Sequence, residues 1–225
     1  METGDSKSYL KGFIPYGLAA FLIGIIGGFT TVDGNVVKQG MVIRGASIDG
    51  ENTLTAHGMK TMHELLAIRT DLDLRCAADG PEFENAVQSP LGESVAYVKM
   101  PVAKYGEFLS QKDKCAEVIR FFADEKNYPI FVHDNEGADQ TGTVCAVLEA
   151  LVGMSDRDIF ADYERSVIGG ALRSRHSEEF ASFMAVLEQY EGTLADKVQK
   201  HLSVCGITDE EIAKVRSNLL ECGGN

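Results

Sequence analysis

The chain has 225 residues, 44% of them hydrophobic, and a net charge of −13 at pH 7, with a pI near 4.8. That length is enough for one good core, so a single domain over residues 13–222 is expected, with a flexible N-terminus at 1–12 and a tail at 223–225. The acidic balance argues against nucleic acid and anionic membrane surfaces as partners. Five cysteines (Cys76, Cys115, Cys145, Cys205, Cys222) are scattered and form no C-x-x-C pair. They read as reduced thiols of a cytoplasmic compartment rather than a disulfide framework or a zinc site. His57, His63, His176 and His201 show no ligand spacing among themselves, so no metal and no cofactor is expected.

From the N-terminus, Gly17 to Phe29 is almost wholly apolar, and Lys7 and Lys11 precede it. Its strongly apolar core falls short of the roughly 20 residues that span a bilayer. It reads as a buried or loop-lining segment, with a membrane anchor or secretion signal through residues 13–32 as the alternative. Asp33-Gly34 then signals a hairpin joining two short strands, the second ending at Met41 to Arg44. Thr55 caps a helix running through Leu66, with Met59, Met62, Leu65 and Leu66 at helical spacing. Strands are expected at Ile68 to Leu74 and Val95 to Pro101, separated by a polar loop from Asp79 to Glu93. An amphipathic helix follows from Lys112 to Ala123, and Ile130 to Val132 forms another strand. Beyond it only helices are expected: 141–152, 155–166, 177–190, 193–204 and 208–220, the last opened by the capping box Thr208-Asp209-Glu210-Glu211. The pattern is α/β, a central sheet flanked by helices with a helical C-terminal half.

One stretch carries chemistry. Pro129 to Gly142 reads P-I-F-V-H-D-N-E-G-A-D-Q-T-G, a strand, a glycine-containing loop and a helix start. Such a turn aims backbone N–H groups and a helix N-terminus at one point, which makes an anion site. The loop strongly resembles that of the cysteine-dependent protein-tyrosine phosphatases, H-C-x-x-G-x-D-R-T-G in the bacterial branch. His133, Gly137, Asp139, Thr141 and Gly142 match; Asp134 stands at the cysteine position and Gln140 at the arginine position. The resemblance extends from about Ile26 to Leu220. It takes in Arg44-Gly45-Ala46, Asp73-Leu74-Arg75, Gly153-Met154-Ser155 with Asp162-Tyr163 and Ser166, and Tyr190-Glu191-Gly192-Thr193. Of the N-terminal pattern N-x-R-D-x-G-G only Ile26-Gly27-Gly28 remain, with Leu22, Gly24 and Ile25 where Asn, Arg and Asp stand in the family.

The resemblance implies a phosphatase fold, a phosphate loop of His133, Asn135, Glu136, Gly137, Ala138 and Thr141, and Asp139 at the general-acid position. Arg44 and Arg75, at strand ends facing the loop, are candidates for ligand contact or for ion pairs with Asp71 and Asp73. In the family a cysteine thiolate attacks phosphorus and an arginine fork holds the equatorial oxygens. An aspartate at position 134 is itself an anion inside the nest, free to accept the N–H bonds meant for phosphate. Gln140 lacks the charge and the fork; loss of one such donor costs roughly 10²–10³ in rate. The expectation is a pseudophosphatase or inactivated phosphatase acting in binding. The alternative is a residual phosphoric monoester hydrolase, metal-assisted through Asp134 with Glu136 and Asp139 nearby. Any ligand at the loop is expected to be a phosphorylated small molecule, a phosphorylated protein or an anion. The oligomeric state stays open.

Overall fold

The computed structural model describes residues 22–49, 53–80, 86–166 and 171–221. The expected flexible N-terminus, the first part of the apolar segment and the C-terminal tail lie outside the described residues. Five strands form the main sheet: β1 (Leu22–Ile26), β3 (Val42–Gly45), β4 (Thr70–Asp73), β5 (Ala96–Lys99) and β6 (Ile130–His133). Their order is β1-β3-β6-β4-β5, parallel throughout except for β1, which runs antiparallel to β3 at one edge. β6 is therefore central, and its sequence is apolar without alternation because both faces of the sheet are covered.

Each face has its own core. Val42, Leu72, Ile130 and Val132 point toward the larger cluster, built with the C-terminal helices; Ile43 and Phe131 point toward a smaller one with Ile48, Met62, Ile68, Leu91 and Val95. The helices are α1 (Ala56–Lys60, continuing as a wider π turn over Thr61–Leu65), α2 (Tyr105–Ser110), α3 (Lys112–Ala123) and α4 (Gln140–Val152). After them come α5 (Asp156–Glu164), α6 (Glu178–Leu187), α7 (Leu194–Val204) and α8 (Asp209–Leu219). Every residue of α4 is buried, as expected of a helix packed on several sides. It ends at Gly153, whose φ of 86° only glycine adopts without strain. Ser155, Ser177, Thr193 and Thr208 each cap the next helix through a side-chain oxygen, and the capping box at Thr208 and Glu211 forms as its sequence predicts.

The α/β architecture is the one expected, with three local differences. Residues 22–26 of the apolar segment form edge strand β1, with Ile26 buried against the core. The turn at Asp33-Gly34 does close a short antiparallel bridge between Thr30 and Val36. The strand that follows, β2 (Val36–Val37), pairs however with β7 (Leu220–Glu221) at the end of the chain and not within the main sheet. Finally, α2 sits where the sequence reading placed no element; it is only six residues long, too short for periodicity to register. Among the described residues no helix is long and apolar enough to cross a membrane.

β3 is tied to α5 by one buried ion pair. Arg44, with no exposed surface, donates from Nη1 to Asp162 Oδ2 at 2.9 Å and to the Asp162 carbonyl at 3.0 Å. Glu149 of α4 lies in the same buried group, and burial beside Asp162 pushes its carboxyl well above the ordinary range, toward the neutral form. Removing Arg44 leaves Asp162 buried with one cation in place of two, Arg165 at 3.1 Å from its other oxygen. Arg44→Met is therefore expected to lower stability by about 3 kcal/mol in urea unfolding; a change below 1 kcal/mol would show that the pair is dispensable.

Candidate functional site

The parallel register sets Gly45 and Asp73 beside His133, so the Arg44-Gly45 and Asp73-Leu74-Arg75 segments end at the sheet edge where the loop begins. Ligands of open parallel sheets bind at that carboxyl end. The loop turns at Gly137, φ 69°, and enters α4 through Asp139. Gly142, in the first turn, is tightly packed: a Cβ there would lie 3.0 Å from Arg44 Nη2 and 3.3 Å from the Tyr163 ring.

Asp134 sits inside this turn, 1% exposed. Its Oδ1 accepts from the N–H of Glu136 at 3.0 Å and from that of Gly137, and its Oδ2 accepts from the N–H of Thr141 at 3.0 Å. The donors that the turn gathers are thus used by a side chain of the same loop. Burial raises the Asp134 carboxyl above its usual range, while the Thr141 and Gly137 N–H groups pull it back down. Arg44 steadies the loop from beneath through Nε to the Gly137 carbonyl, 2.9 Å, and the Asn135 carbonyl accepts from the N–H of Ser47 at 3.3 Å.

Asp139 is equally engaged. Its Oδ1 accepts from Tyr105 Oη at 2.6 Å and Arg173 Nε at 2.6 Å; its Oδ2 accepts from Lys104 Nζ at 3.0 Å and Arg173 Nη2 at 3.1 Å. Burial alone would raise this carboxyl, but the bonds from Arg173, Tyr105 and Lys104 outweigh it and hold Asp139 far below the ordinary range. A group so placed keeps its anion at neutral pH, the reverse of what proton donation needs. Gln140 turns to Asp79, donating Nε2 to Oδ2 at 2.5 Å. Glu136, half exposed, meets Arg173 Nη2 at 2.8 Å. Asn135 is exposed and Ala138 buried at the base of the loop. Together these groups line a cleft of about 300 Å³ in which Asp79, Asp134, Glu136 and Asp139 face Lys104 and Arg173.

The two strand-end arginines are buried. Arg75 forms paired bonds of 2.8–3.0 Å to both oxygens of Asp73 and 2.8–2.9 Å to both oxygens of Asp49. Tyr97 and Lys99 bond the same Asp73. Of the two readings open for Arg75, the ion pair with Asp73 is the one found; Arg44 instead pairs with Asp162. His133, fully buried, stacks on Phe131 and places Nε2 3.0 Å from Asp71 Oδ1, off the line of a good hydrogen bond. Lys104, Tyr105 and Arg173 were not singled out from sequence. They lie more than thirty residues from Asp139 on either side, and the one local signal is conformational: Tyr105 holds a φ of 53°, unusual for a non-glycine residue.

With this geometry in hand, the chain belongs to the tyrosine phosphatase family, whose model matches residues 26–221. Comparison with curated proteins finds no match. Among solved structures, the core catalytic domain of the PP-IP phosphatase SIW14 from S. cerevisiae, in complex with citrate, is 18% identical, with TM-score 0.46 over 80% of this chain and 92% of that one. TpbA of P. aeruginosa in complex with pTyr is 18% identical, with TM-score 0.42 over 75% and 90%. DUSP15 is 15% identical, with TM-score 0.44 over 72% and 90%.

The His133 and Asp71 pair gives a pH signature. Burial disfavours the imidazolium, but the close approach of Asp71 at 3.0 Å and the fields of Asp71 and Asp73 prevail and raise the pKa of His133 above 6.5. A raised histidine stabilises fully below its unfolded value of about 6.5 and loses that contribution as pH climbs through the folded value. The stability difference between the unmodified protein and His133→Gln should therefore shrink from pH 6 to pH 9 in urea titrations. A difference that stays flat or widens would contradict the assignment.

Proposed function

We propose that this chain is a non-catalytic member of its family, a phosphatase-fold binding module whose phosphate loop is filled by its own Asp134 carboxylate. The observation that carries the reading is the set of three N–H bonds from Glu136, Gly137 and Thr141 to Asp134. Those donors are the ones a phosphate would use, and a phosphate dianion entering beside a carboxylate meets repulsion at short range. The other groups support the same view. Gln140 is uncharged and bonded to Asp79, and Asp139 is held as an anion by Arg173, Tyr105 and Lys104. The route through an aspartyl phosphate is less favoured, because both Asp134 oxygens already accept backbone N–H bonds.

Two measurements test this. Hydrolysis of an aryl phosphate by the unmodified protein, with and without magnesium, should not exceed that of Asp134→Ala; clear turnover that depends on Asp134 would sink the proposal. Asp134→Ala should also leave three N–H donors unpaired, lowering stability by about 1–3 kcal/mol. Orthovanadate or phosphate should then raise the melting temperature of Asp134→Ala, worth about 2.7 kcal/mol at a hundredfold excess over Kd, and leave that of the unmodified protein unchanged. An equal rise in both would mean that the nest accepts anions with Asp134 in place.

A further inference from the structure

On the helical side of the sheet, away from the loop, three side chains converge that the function above does not use. Cys115 lies in the second turn of α3, His201 in the last turn of α7, and Cys205 is the residue that ends α7. All three are buried, at 0%, 3% and 8% exposure, and both thiols are free. Their ligand atoms all lie within 4.8 Å of one another, which no other group of three His, Cys, Asp or Glu side chains achieves among the described residues. His201 and Cys205 share one helix face through their i,i+4 spacing, and α3 supplies Cys115 from across the contact.

We propose that Cys115, His201 and Cys205 form a zinc site that ties α3 to α7. Three observations support it. First, Cys205 Sγ lies 3.5 Å from His201 Nε2, and a tetrahedron with Zn–S of about 2.3 Å and Zn–N of about 2.0–2.1 Å has an S···N edge of about 3.5 Å. Second, two thiolates and a neutral imidazole cancel the charge of a divalent ion, so the filled site is electrically neutral, as its burial demands. The soft donor set favours zinc over calcium or magnesium, which take oxygen ligands. Third, an outer partner is in place: Tyr190 Oη lies 3.4 Å from His201 Nδ1. His201 Nε2 lies 2.9 Å from the Leu109 carbonyl and there carries the imidazole proton. On metal binding the proton moves to Nδ1 and faces the Tyr190 oxygen, while Nε2 turns its lone pair to the ion. The two thiols release their protons to solvent, and the fourth position falls to water or to the Leu109 carbonyl.

The test uses the full chain, reduced and chelator-treated, titrated with Co²⁺ as a spectroscopic stand-in and then with Zn²⁺. A thiolate-to-cobalt absorption band should saturate at about one ion per chain and be displaced by zinc. The band should be lost in Cys205→Ser and in Cys115→Ala and kept in Cys76→Ser, and Zn²⁺ should raise the melting temperature of the unmodified protein only where the band forms. Should either cysteine variant fold poorly, His201→Gln gives the same readout. Tyr190→Phe should weaken binding by about 10–100-fold without abolishing it. No band at stoichiometric metal, a band that survives Cys205→Ser, or loss of two titratable thiols without metal uptake would each overturn the proposal. The last result would mean that Cys115 and Cys205 close a disulfide instead.

Discussion

A single carboxylate bonded to three backbone N–H groups organises the loop end of this molecule. The turn from β6 into α4 gathers donors that have no partner within the helix, and such a helix start must find an anion or water. In a phosphate-binding loop that anion arrives from solution and leaves again. Here Asp134 is covalently attached to the loop it fills, so it competes with any dissolved anion at the high effective concentration of a tethered group. On the proposed reading, the same bonds that stabilise the turn oppose its use as a phosphate site, and fold and function separate at this one position: the loop keeps its shape while a dissolved phosphate is excluded.

The surrounding scaffold explains why the shape persists. Arg44 links β3, the Gly137 carbonyl and α5, and Arg75 joins Asp73 at the end of β4 to Asp49 in the segment after β3. These buried pairs are costly to desolvate and therefore demand good geometry, which the forked bonds of Arg75 have, while Arg44 meets Asp162 through Nη1 alone. These bonds run to Gly137, Asp162, Asp73 and Asp49, not to the two positions where this loop departs from the family pattern. The nest is thus positioned by bonds that do not pass through the side chain of residue 134. His133 belongs with them, since it packs on Phe131 and faces Asp71 on the far side of the sheet from Arg44.

What was legible in the sequence follows the range over which each feature is encoded. The central strand, the loop and α4 are contiguous, and apolar run, glycine and helix start all lie within Pro129 to Val152, so they could be read directly. Helix starts were equally plain because Ser155, Ser177, Thr193 and Thr208 act over three residues. The capture of the loop donors by Asp134 was also within reach, because donor and acceptor are at most seven residues apart. The pairing of β2 with β7 was not, since those strands sit at opposite ends of the chain. Nor were Lys104, Tyr105 and Arg173, which reach Asp139 only through the packing of α2 and of the segment before α6. The cluster of Cys115 with Cys205 shows the same limit: at ninety residues apart, spacing carries no ligand signal. Only His201 and Cys205, one helical turn apart, left a trace.

The electrostatics of the cleft extend the argument beyond one substituted residue. Asp79 accepts from Gln140 and lies 3.5 Å from Lys104; Lys104 and Arg173 converge on Asp139; Arg173 also meets Glu136. Each cation lining the cleft is thereby engaged by a carboxylate of the protein, and the acids outnumber them. A transferring phosphoryl group needs the opposite balance, an excess of unengaged positive charge and donors at the point where negative charge spreads. On the reading proposed above, the departure from catalysis is distributed over an ion-pair network with Asp134 as its innermost member, and it opposes the chemistry of the family at three separate steps: binding of the anion, stabilisation of its transition state, and protonation of the leaving group.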